Sequence, residues 1–110
     1  MSIASKRRES LFFRAISEII AHQLTNANIT LATVTSVKLS NDSKHLTVFV
    51  VFEKNQTRSL DALKNAGGFI RSQLAKTVNE RVVPQLVFKY DDTFAHGLKI
   101  DQILKKIKEN

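Results

Sequence analysis

One step in the sequence, Ala66-Gly67-Gly68, constrains the possible folds more than any other feature. It interrupts a stretch from Ser59 to Glu80 in which apolar residues recur at helical spacing on both sides of the step. Two adjacent glycines inside a helix cost roughly 1 kcal/mol each relative to alanine. They are kept where the backbone needs a positive φ, or where another backbone must come close. The stretch therefore predicts two helices joined by a sharp bend, with Ser59 as the N-cap of the first.

The predicted bend is suited to binding an anion. Because the second helix begins at the glycines, its unpaired N–H groups and the positive end of its dipole lie beside bare backbone. Lys64 before the bend and Arg71 after it add cations close to the same point, and Lys76 extends a partly basic face along the second helix. A phosphate group would fit such a place. The alternative is a helix corner whose glycines serve packing alone.

The remaining elements follow from hydrophobic periodicity and from turn residues. The pattern predicts, in chain order, an amphipathic helix at 2–24, strands at 29–39 and 45–52, the bent helix pair, a strand at 85–90, and a last helix capped by Asp91-Asp92-Thr93 with Phe94, Leu98, Ile100, Ile103, Leu104 and Ile107 on its apolar side. The polar turn at 40–44 makes the first two strands an antiparallel hairpin. A strand reached through helices can pair in parallel, although the sequence does not fix which neighbour it takes.

Together these elements predict one α+β domain spanning residues 1–110. The order is α-β-β-α-kink-α-β-α, with the helices packed on a three-stranded mixed sheet. A chain of 110 residues is long enough for one hydrophobic core and too short for two ordinary domains.

The charge of the chain indicates the class of partner. It carries 17 Lys and Arg against 10 Asp and Glu, and its formal net charge of +7 favours polyanions such as nucleic acid or an anionic membrane surface. The Lys6-Arg7-Arg8 run at the start of the first helix is either a solvated terminus or an arm for phosphates. There is no cysteine and no apolar run of the ~20 residues that a membrane span requires, so we expect a soluble, cytoplasmic protein.

No constellation in the sequence argues for catalysis, a metal or another cofactor. His22, His45 and His96 are isolated and lack cysteine neighbours. The Asp91-Asp92 pair could hold a hard cation or serve in acid–base chemistry, but a helix cap explains it more simply. The sequence also lacks a G-x-S-x-G elbow, a P-loop and a G-x-G-x-x-G fingerprint. We therefore expect neither an enzyme nor a protein that binds a small molecule.

Several segments of the sequence form a recognisable set. They are G-F-I-R-S at 68–72, R-V-V-P-Q-L at 81–86, Tyr90-Asp91-Asp92, Gly97, Val34-x-x-Val37 and Ser40-x-Asp42, together with the opening amphipathic helix. In this order and spacing they resemble the bacterial ribosome-binding factor A family. The resemblance implies a KH-like fold of the second type, in which an Ala-x-Gly kink, here Ala66, Gly67 and Gly68, replaces the G-x-x-G loop that clamps nucleotides in other KH modules. It also implies a non-enzymatic factor that binds the small (30S) ribosomal subunit and assists late maturation of 16S rRNA, especially during growth in the cold.

The predicted interface adds basic side chains to the kink. The candidates are Lys64, Arg71 and Lys76 as phosphate contacts, and Lys38, Lys44 and Arg58, for which solvated cations are the more common alternative. Most of the seven phenylalanines fall on core-facing stripes, so recognition of RNA shape and backbone is expected to exceed base stacking. On this basis Arg71→Glu should weaken binding and leave the fold intact, whereas Gly68→Val should disturb both the kink and the binding.

The expected partners are the small ribosomal subunit and 16S rRNA, with the protein acting as a monomer away from membranes. Three alternatives stay open. The nearest is a generic KH-like protein that binds single-stranded RNA. A phosphate-handling enzyme would depend on Asp91 or Asp92. A protein-interaction module would use the apolar faces of the hairpin, and its affinity would depend little on salt, whereas phosphate contacts give a steep salt dependence.

Overall fold

The computed structural model describes residues 3–24, 28–29, 31–79 and 82–93. In chain order the elements are helix α1 (Ile3–His22), strands β1 (Thr33–Leu39) and β2 (His45–Val51), helices α2 (Gln56–Asn65) and α3 (Gly67–Val78), and strand β3 (Gln85–Tyr90). The predicted order is confirmed as far as β3. The predicted last helix, with its apolar residues from Phe94 to Ile107, lies outside the described residues.

The three strands form one mixed sheet in the order β1-β2-β3. β1 and β2 are antiparallel, with Val37 opposite Val48, and a β-bulge interrupts their register between Val34 and Ser36. β2 and β3 are parallel, with Val48 beside Phe88. β2 is therefore the central strand, and the connection through α2 and α3 is what allows the parallel pairing. Helices and sheet together have the KH-like arrangement of the second type.

The core lies between the helices and one face of the sheet. Leu46, Val48 and Val50 alternate along β2 and are fully buried, whereas the residues between them are partly exposed on the other face. α1 packs on β1 and on α3, and α2 packs on β3. The helices contribute the fully buried side chains Phe12, Ile16, Ile19, Leu63, Ile70 and Leu74. Burial of one such side chain contributes roughly 1.5–3 kcal/mol, so this shared core fixes α2 and α3 on the sheet.

The start of α2 differs from the prediction. The helix begins at Gln56, and the residue before it, Asn55, has a left-handed backbone with φ of 55°. The Gln56 side chain makes two hydrogen bonds with the backbone of Phe52. It accepts from the Phe52 N–H at 3.1 Å and donates to the Phe52 carbonyl at 2.8 Å. Ser59 is buried within the helix, and its hydroxyl donates to the carbonyl of Asn28 at 3.1 Å. The prediction of Ser59 as the N-cap is therefore wrong, because this serine anchors α2 to a neighbouring loop.

Candidate nucleic-acid interface

The kink is made by a single residue, Ala66, which lies between the last residue of α2 and the first residue of α3. Its φ of −84° and ψ of 1° depart from regular helical values and turn the chain. Its N–H donates to the carbonyls of Ala62 and Leu63, both at 3.1 Å, and its carbonyl accepts from the N–H of Ile70 at 3.0 Å. Ala66 therefore closes one helix and opens the next, and the predicted bend is confirmed.

The described part of the fold does not explain the glycines after the kink. Neither has a positive φ, so the conformational explanation is wrong. A Cβ built on Gly67 would lie 3.6 Å from Cε2 of Phe88, which is an ordinary contact, and a Cβ built on Gly68 would meet nothing within 4 Å. Packing within the described part of the chain therefore does not require Gly68, which is exposed. Among the described residues, the space beside this backbone is therefore open.

The N-terminus of α3 is open as well. No side chain caps it, and no acidic residue lies in its first turn. The first N–H groups of a helix lack partners within the helix, and the aligned peptide dipoles place partial positive charge at this end. Gly68 therefore combines the positive end of the α3 dipole with steric access. This is the combination that binds phosphate groups at helix N-termini.

Phe69 is a candidate contact that the sequence analysis missed. It follows Gly68 and is 45% exposed, whereas the next residue, Ile70, is fully buried. The buried stripe of α3 consists of Ile70, Leu74 and Val78, and the helical period places Phe69 about 100° away from it. An aromatic ring beside an exposed backbone can stack on an unpaired base, which is worth about 1–3 kcal/mol. We expected recognition of the RNA backbone to exceed base stacking because most phenylalanines were assigned to the core. The exposure of Phe69 removes that argument at this position.

Arg71 lies one turn beyond the kink, but its guanidinium is engaged by the protein. Nε donates to the carbonyl of Pro84 at 3.2 Å, and Nη2 donates to the carbonyl of Val83 at 2.7 Å. Both acceptor residues are buried and come immediately before β3. Hydrogen bonds from a charged donor contribute about 1.5–3 kcal/mol each, so Arg71 fastens α3 to the start of β3. Arg71→Glu is consequently expected to destabilise the fold, contrary to the sequence-based expectation, and an RNA contact by Arg71 stays a prediction.

Lys64, Lys76 and Arg58 are all exposed, but they do not share one surface. Lys64 is in the last turn of α2, directly before the kink. Lys76 is in the last turn of α3, about 12 Å from Gly68 along the helix axis at 1.5 Å per residue. Arg58 lines a separate groove of about 550 Å³ on α2, where the carboxylate of Asp61 reduces the positive potential. Of these three cations, Lys64 is the one beside the kink.

The two lysines of the hairpin lie in different parts of the molecule. Lys38 pairs with Thr47 on the face of the sheet away from the helices, so the sheet separates it from the kink. Lys44 is exposed, and its carbonyl accepts from the N–H of Gln85 at 2.8 Å. Gln85 is the first residue of β3, next to the segment that Arg71 holds. The fold therefore brings Lys44, and not Lys38, towards the end of the sheet that α3 contacts.

The hairpin turn between β1 and β2 is closed by its own polar groups. The hydroxyl of Ser40 donates to Oδ1 of Asp42 at 2.6 Å, and the N–H of Lys44 donates to the same oxygen at 3.0 Å. These two hydrogen bonds, from Ser40 first and then from the backbone of Lys44, hold the pKa of Asp42 below its ordinary value of 3.8. The N–H of His45 donates to Oγ of Ser40 at 3.0 Å. The side chains of Ser40 and Asp42 are therefore used within the turn.

The described residues contain no cluster of three or more potential metal ligands and no helix long and apolar enough to cross a membrane. Among the histidines, His22 lies 3.5 Å from Glu18 on the exposed face of α1. His45 is also exposed, and His96 lies outside the described residues. The two described histidines are therefore surface residues of the fold.

The Asp91-Asp92 pair begins immediately after β3. Asp91 is half-buried, its carboxylate accepts a hydrogen bond from the hydroxyl of Thr35 on β1, and its N–H donates to the carbonyl of Val50 at 2.9 Å. Since β2 lies between β1 and β3, Asp91 connects the two edges of the sheet. This role in the fold accounts for Asp91 without acid–base chemistry.

Comparison with known proteins relates the chain to one family. The family model described as ribosome-binding factor A matches residues 4–104. Ribosome-binding factor A of Mycoplasmopsis agalactiae is 48% identical over 107 residues, which cover 97% of this chain and 95% of that protein. Ribosome-binding factor A of Macrococcus caseolyticus is 35% identical over 113 residues, which cover 100% of this chain and 99% of that protein.

Solved structures agree with the sequence comparison. The crystal structure of ribosome-binding factor A from Thermus thermophilus matches with a TM-score of 0.74 at 31% identity, covering 78% of this chain and 93% of that chain. A homology model of the Thermus thermophilus factor, fitted into the cryo-EM map of a 30S–RbfA complex, matches with a TM-score of 0.67 at 33% identity, covering 74% and 89%. By sequence and by structure, this chain belongs to the ribosome-binding factor A family.

Proposed function

We propose that this chain is a non-enzymatic ribosome assembly factor that binds the small (30S) ribosomal subunit and assists late maturation of 16S rRNA, including during growth in the cold. Membership of the family supports the subunit as partner, since a relative of the same fold has been fitted into the map of a 30S–RbfA complex. Relatives carry the name of a binding factor, which supports a role without catalysis. Residues 1–110 would act as one KH-like RNA-binding domain, as a monomer in the cytoplasm and without a cofactor.

The observation that carries RNA contact is the exposed Gly68 at the uncapped N-terminus of α3. Within the described part of the chain, neither a positive φ nor packing requires this glycine, and a side chain there would obstruct the helix N–H groups. A phosphate that approaches the bare backbone meets these donors directly. Lys64 adds charge beside the kink, and Phe69 offers a ring to a neighbouring base.

The mechanism we propose is control of RNA conformation by binding. The hydrogen bonds of Ala66 to both helices fix the kink in the free protein, so its backbone donors are already arranged. A preformed site loses little conformational entropy on binding and holds its ligand in one geometry. Bound in this way, a segment of immature rRNA would be kept from competing arrangements until the subunit matures. Charge neutralisation by Lys64 and by the net charge of +7 on the chain would supply most of the affinity.

A generic KH-like protein for single-stranded RNA is the second candidate, and the exposed ring of Phe69 is the observation that favours it. Stacking on aromatic side chains tolerates every base, so it gives affinity without selecting one RNA. The two candidates differ in selectivity. An assembly factor distinguishes the small subunit from other RNA, whereas a generic binder does not.

The test is co-sedimentation of the purified protein with isolated small subunits, with large subunits as control, at low and at physiological salt. We expect saturable binding to the small subunit alone. Lys64→Glu should weaken it and should reduce the slope of log affinity against log salt by about 0.7–0.9. Lys89→Glu is the matched control, because this exposed lysine on the outer face of the sheet makes the same charge change away from the kink.

Equal binding to both subunits, or to unrelated RNA, would leave the generic binder as the function. Equal effects of the Lys64 and Lys89 variants would show that net charge, and not the kink, determines the affinity.

A further inference from the structure

The outer edge of β1 lies beside α1 and is only partly covered. The N–H of Ser40 donates to the carbonyl of His45 at 2.9 Å, so alternation along the antiparallel pair turns the N–H of Leu39 away from β2. That N–H donates instead to Oε2 of Glu9 on α1 at 2.7 Å. The same alternation turns the N–H and carbonyl of Val37 away from β2, towards α1.

A groove of about 630 Å³ runs between α1 and this edge. It is lined from α1 by Lys6, Ser10, Phe13 and Arg14 and from β1 by Thr35 and Val37. Phe13 is 37% exposed, which makes it one of the large apolar side chains left at the surface. Only a short part of this edge is accessible. At one end the carboxylate of Glu9 binds the N–H of Leu39, and at the other end the β-bulge between Val34 and Ser36 interrupts the strand.

We propose that this groove binds an extended, acidic segment of a partner protein, which adds to β1 as a further strand. Strand addition uses an exposed strand edge for backbone hydrogen bonds and neighbouring pockets for alternate side chains. Val37 supplies the outward donor and acceptor, and Phe13 supplies an apolar wall. The proposal goes beyond RNA binding, since the kink packs over β3 at the opposite edge of the sheet.

The distance between the two cations of the groove predicts the spacing of the acidic residues in the bound segment. Lys6 and Arg14 are exposed and lie eight residues apart on α1, which is about 12 Å along the helix axis. Four residues of extended chain span about 13 Å, and residues four apart lie on the same face of a strand. The segment should therefore carry carboxylates at positions i and i+4. Glu9 lies between the two cations, but its carboxylate already accepts from Leu39.

The chemistry of the groove favours such a segment over other occupants. RNA could meet the cations, but it has no repeating amide groups at strand spacing to pair with Val37. A second copy of this chain would bring together two molecules of net charge +7. Residues 94–110 contain four lysines against two acidic residues, so they do not complement Lys6 and Arg14.

The experiment uses the full chain and a synthetic octapeptide of valine and threonine with glutamates at positions 2 and 6. Binding is followed by NMR, including hydrogen exchange of the backbone amides. We expect saturable binding that slows exchange of the Val37 amide, while the Leu39 amide, already bonded to Glu9, changes little. Lysines in place of the glutamates should abolish binding. Glutamates at positions 2 and 5, on opposite faces of the strand, should weaken it several-fold.

Variants of the protein provide the second part of the test. Lys6→Glu combined with Arg14→Glu should weaken binding of the peptide about tenfold. Lys54→Glu combined with Lys89→Glu makes the same charge change at exposed sites outside the groove and should weaken it much less. Val37→Pro removes the outward N–H without removing a bond to β2, and thermal unfolding verifies that this variant is folded.

Three results would overturn the proposal. One is no binding of the acidic octapeptide at millimolar concentration. Another is stronger binding of a single-stranded RNA 12-mer that shifts the same resonances, which would assign the groove to RNA. The last is protection of the Val37 amide that rises with protein concentration alone, which would assign the edge to self-association.

Discussion

The hairpin turn at residues 40–44 and the kink at Ala66 both change the direction of the chain with small and polar residues, but they differ in what those residues do. In the turn, the hydroxyl of Ser40 and the carboxylate of Asp42 are both engaged in hydrogen bonds of the turn itself. At the kink, α3 begins without a side-chain cap, and no described residue lies within 4 Å of a Cβ built on Gly68. A dense polar turn is therefore no sign of binding. A glycine that no described contact requires is the better indication of a ligand.

The largest expected effect comes from Arg71→Glu, which tests whether this cation of the kink region serves the fold. Loss of its hydrogen bonds to Val83 and Pro84 should lower the free energy of unfolding by about 3 kcal/mol, measured by urea denaturation. Arg58→Glu is the matched control, because this exposed arginine on α2 makes the same charge change and should cost far less. If the Arg71→Glu variant kept full stability but lost binding to the small subunit, Arg71 would be assigned to the RNA interface and not to the fold.

The second-largest effect is expected from Phe69→Ala, which tests whether the side of the molecule that carries the kink contacts the ligand. Removal of a stacking ring should cost about 2 kcal/mol of binding free energy, or roughly thirtyfold in Kd for the small subunit. Stability should change little, since the ring is 45% exposed. Phe13→Ala removes a ring of similar exposure, 37%, from α1 and should leave this affinity intact. Equal losses in both variants would place the RNA on more than the kink.

Gly68→Ala separates binding from stability at one position. A methyl group there meets nothing within 4 Å, so helix propensity should leave the free energy of unfolding unchanged or raise it by up to about 1 kcal/mol. Affinity for the small subunit should fall about tenfold, because the methyl group enters the space of the ligand. Ser72→Ala is the control, since it raises propensity at an exposed position of α3. If the affinity of Gly68→Ala were unchanged, close approach of the ligand to the backbone could not be the reason for a glycine at this position.

The smallest effect belongs to the hairpin turn and concerns pH. The pKa of Asp42 is lowered in the folded state, so its contribution to stability is complete above the ordinary value of 3.8 and is lost as the pH falls through the lower, folded pKa. The NMR chemical shift of the Lys44 amide, which donates to Asp42, should therefore change with pH with a midpoint below 3.8. Asp42→Ala should abolish this titration and leave subunit binding at neutral pH unchanged. A midpoint above 3.8 would show that the turn does not engage its carboxylate.

Local sequence patterns predicted most of the fold. The strand predicted at 85–90 is β3, and the helix predicted at 2–24 is α1, which ends at His22. The errors lie where a side-chain contact with a residue outside α2 decides the local structure. α2 begins at Gln56 because its side chain bonds to Phe52, and Ser59 is buried because it reaches Asn28. The contact of Ser59 with Asn28, 31 residues earlier in the chain, has no signature in the neighbouring residues.

The site was predictable in part for the same reason. Alanine and two glycines within a helical pattern are a local signal, and they located the kink. The helical stripe of α3 would also have identified Phe69 as an outward residue. The role of Arg71 depends on Val83 and Pro84, twelve and thirteen residues later in the chain, and on their place before β3. The separation of Lys38 from the kink depends on strand pairing, which the sequence does not fix.

During synthesis, the two halves of the sheet become available at different times. The hairpin of β1 and β2 is complete once Val51 has emerged, whereas Val48 meets its parallel neighbour, Phe88, only forty residues later in the sequence. Such distant contacts close late in folding because a long loop must first be ordered. Arg71 likewise waits for Pro84. A nascent chain therefore carries the glycines before Pro84 and Phe88 are present to fix the surface around them.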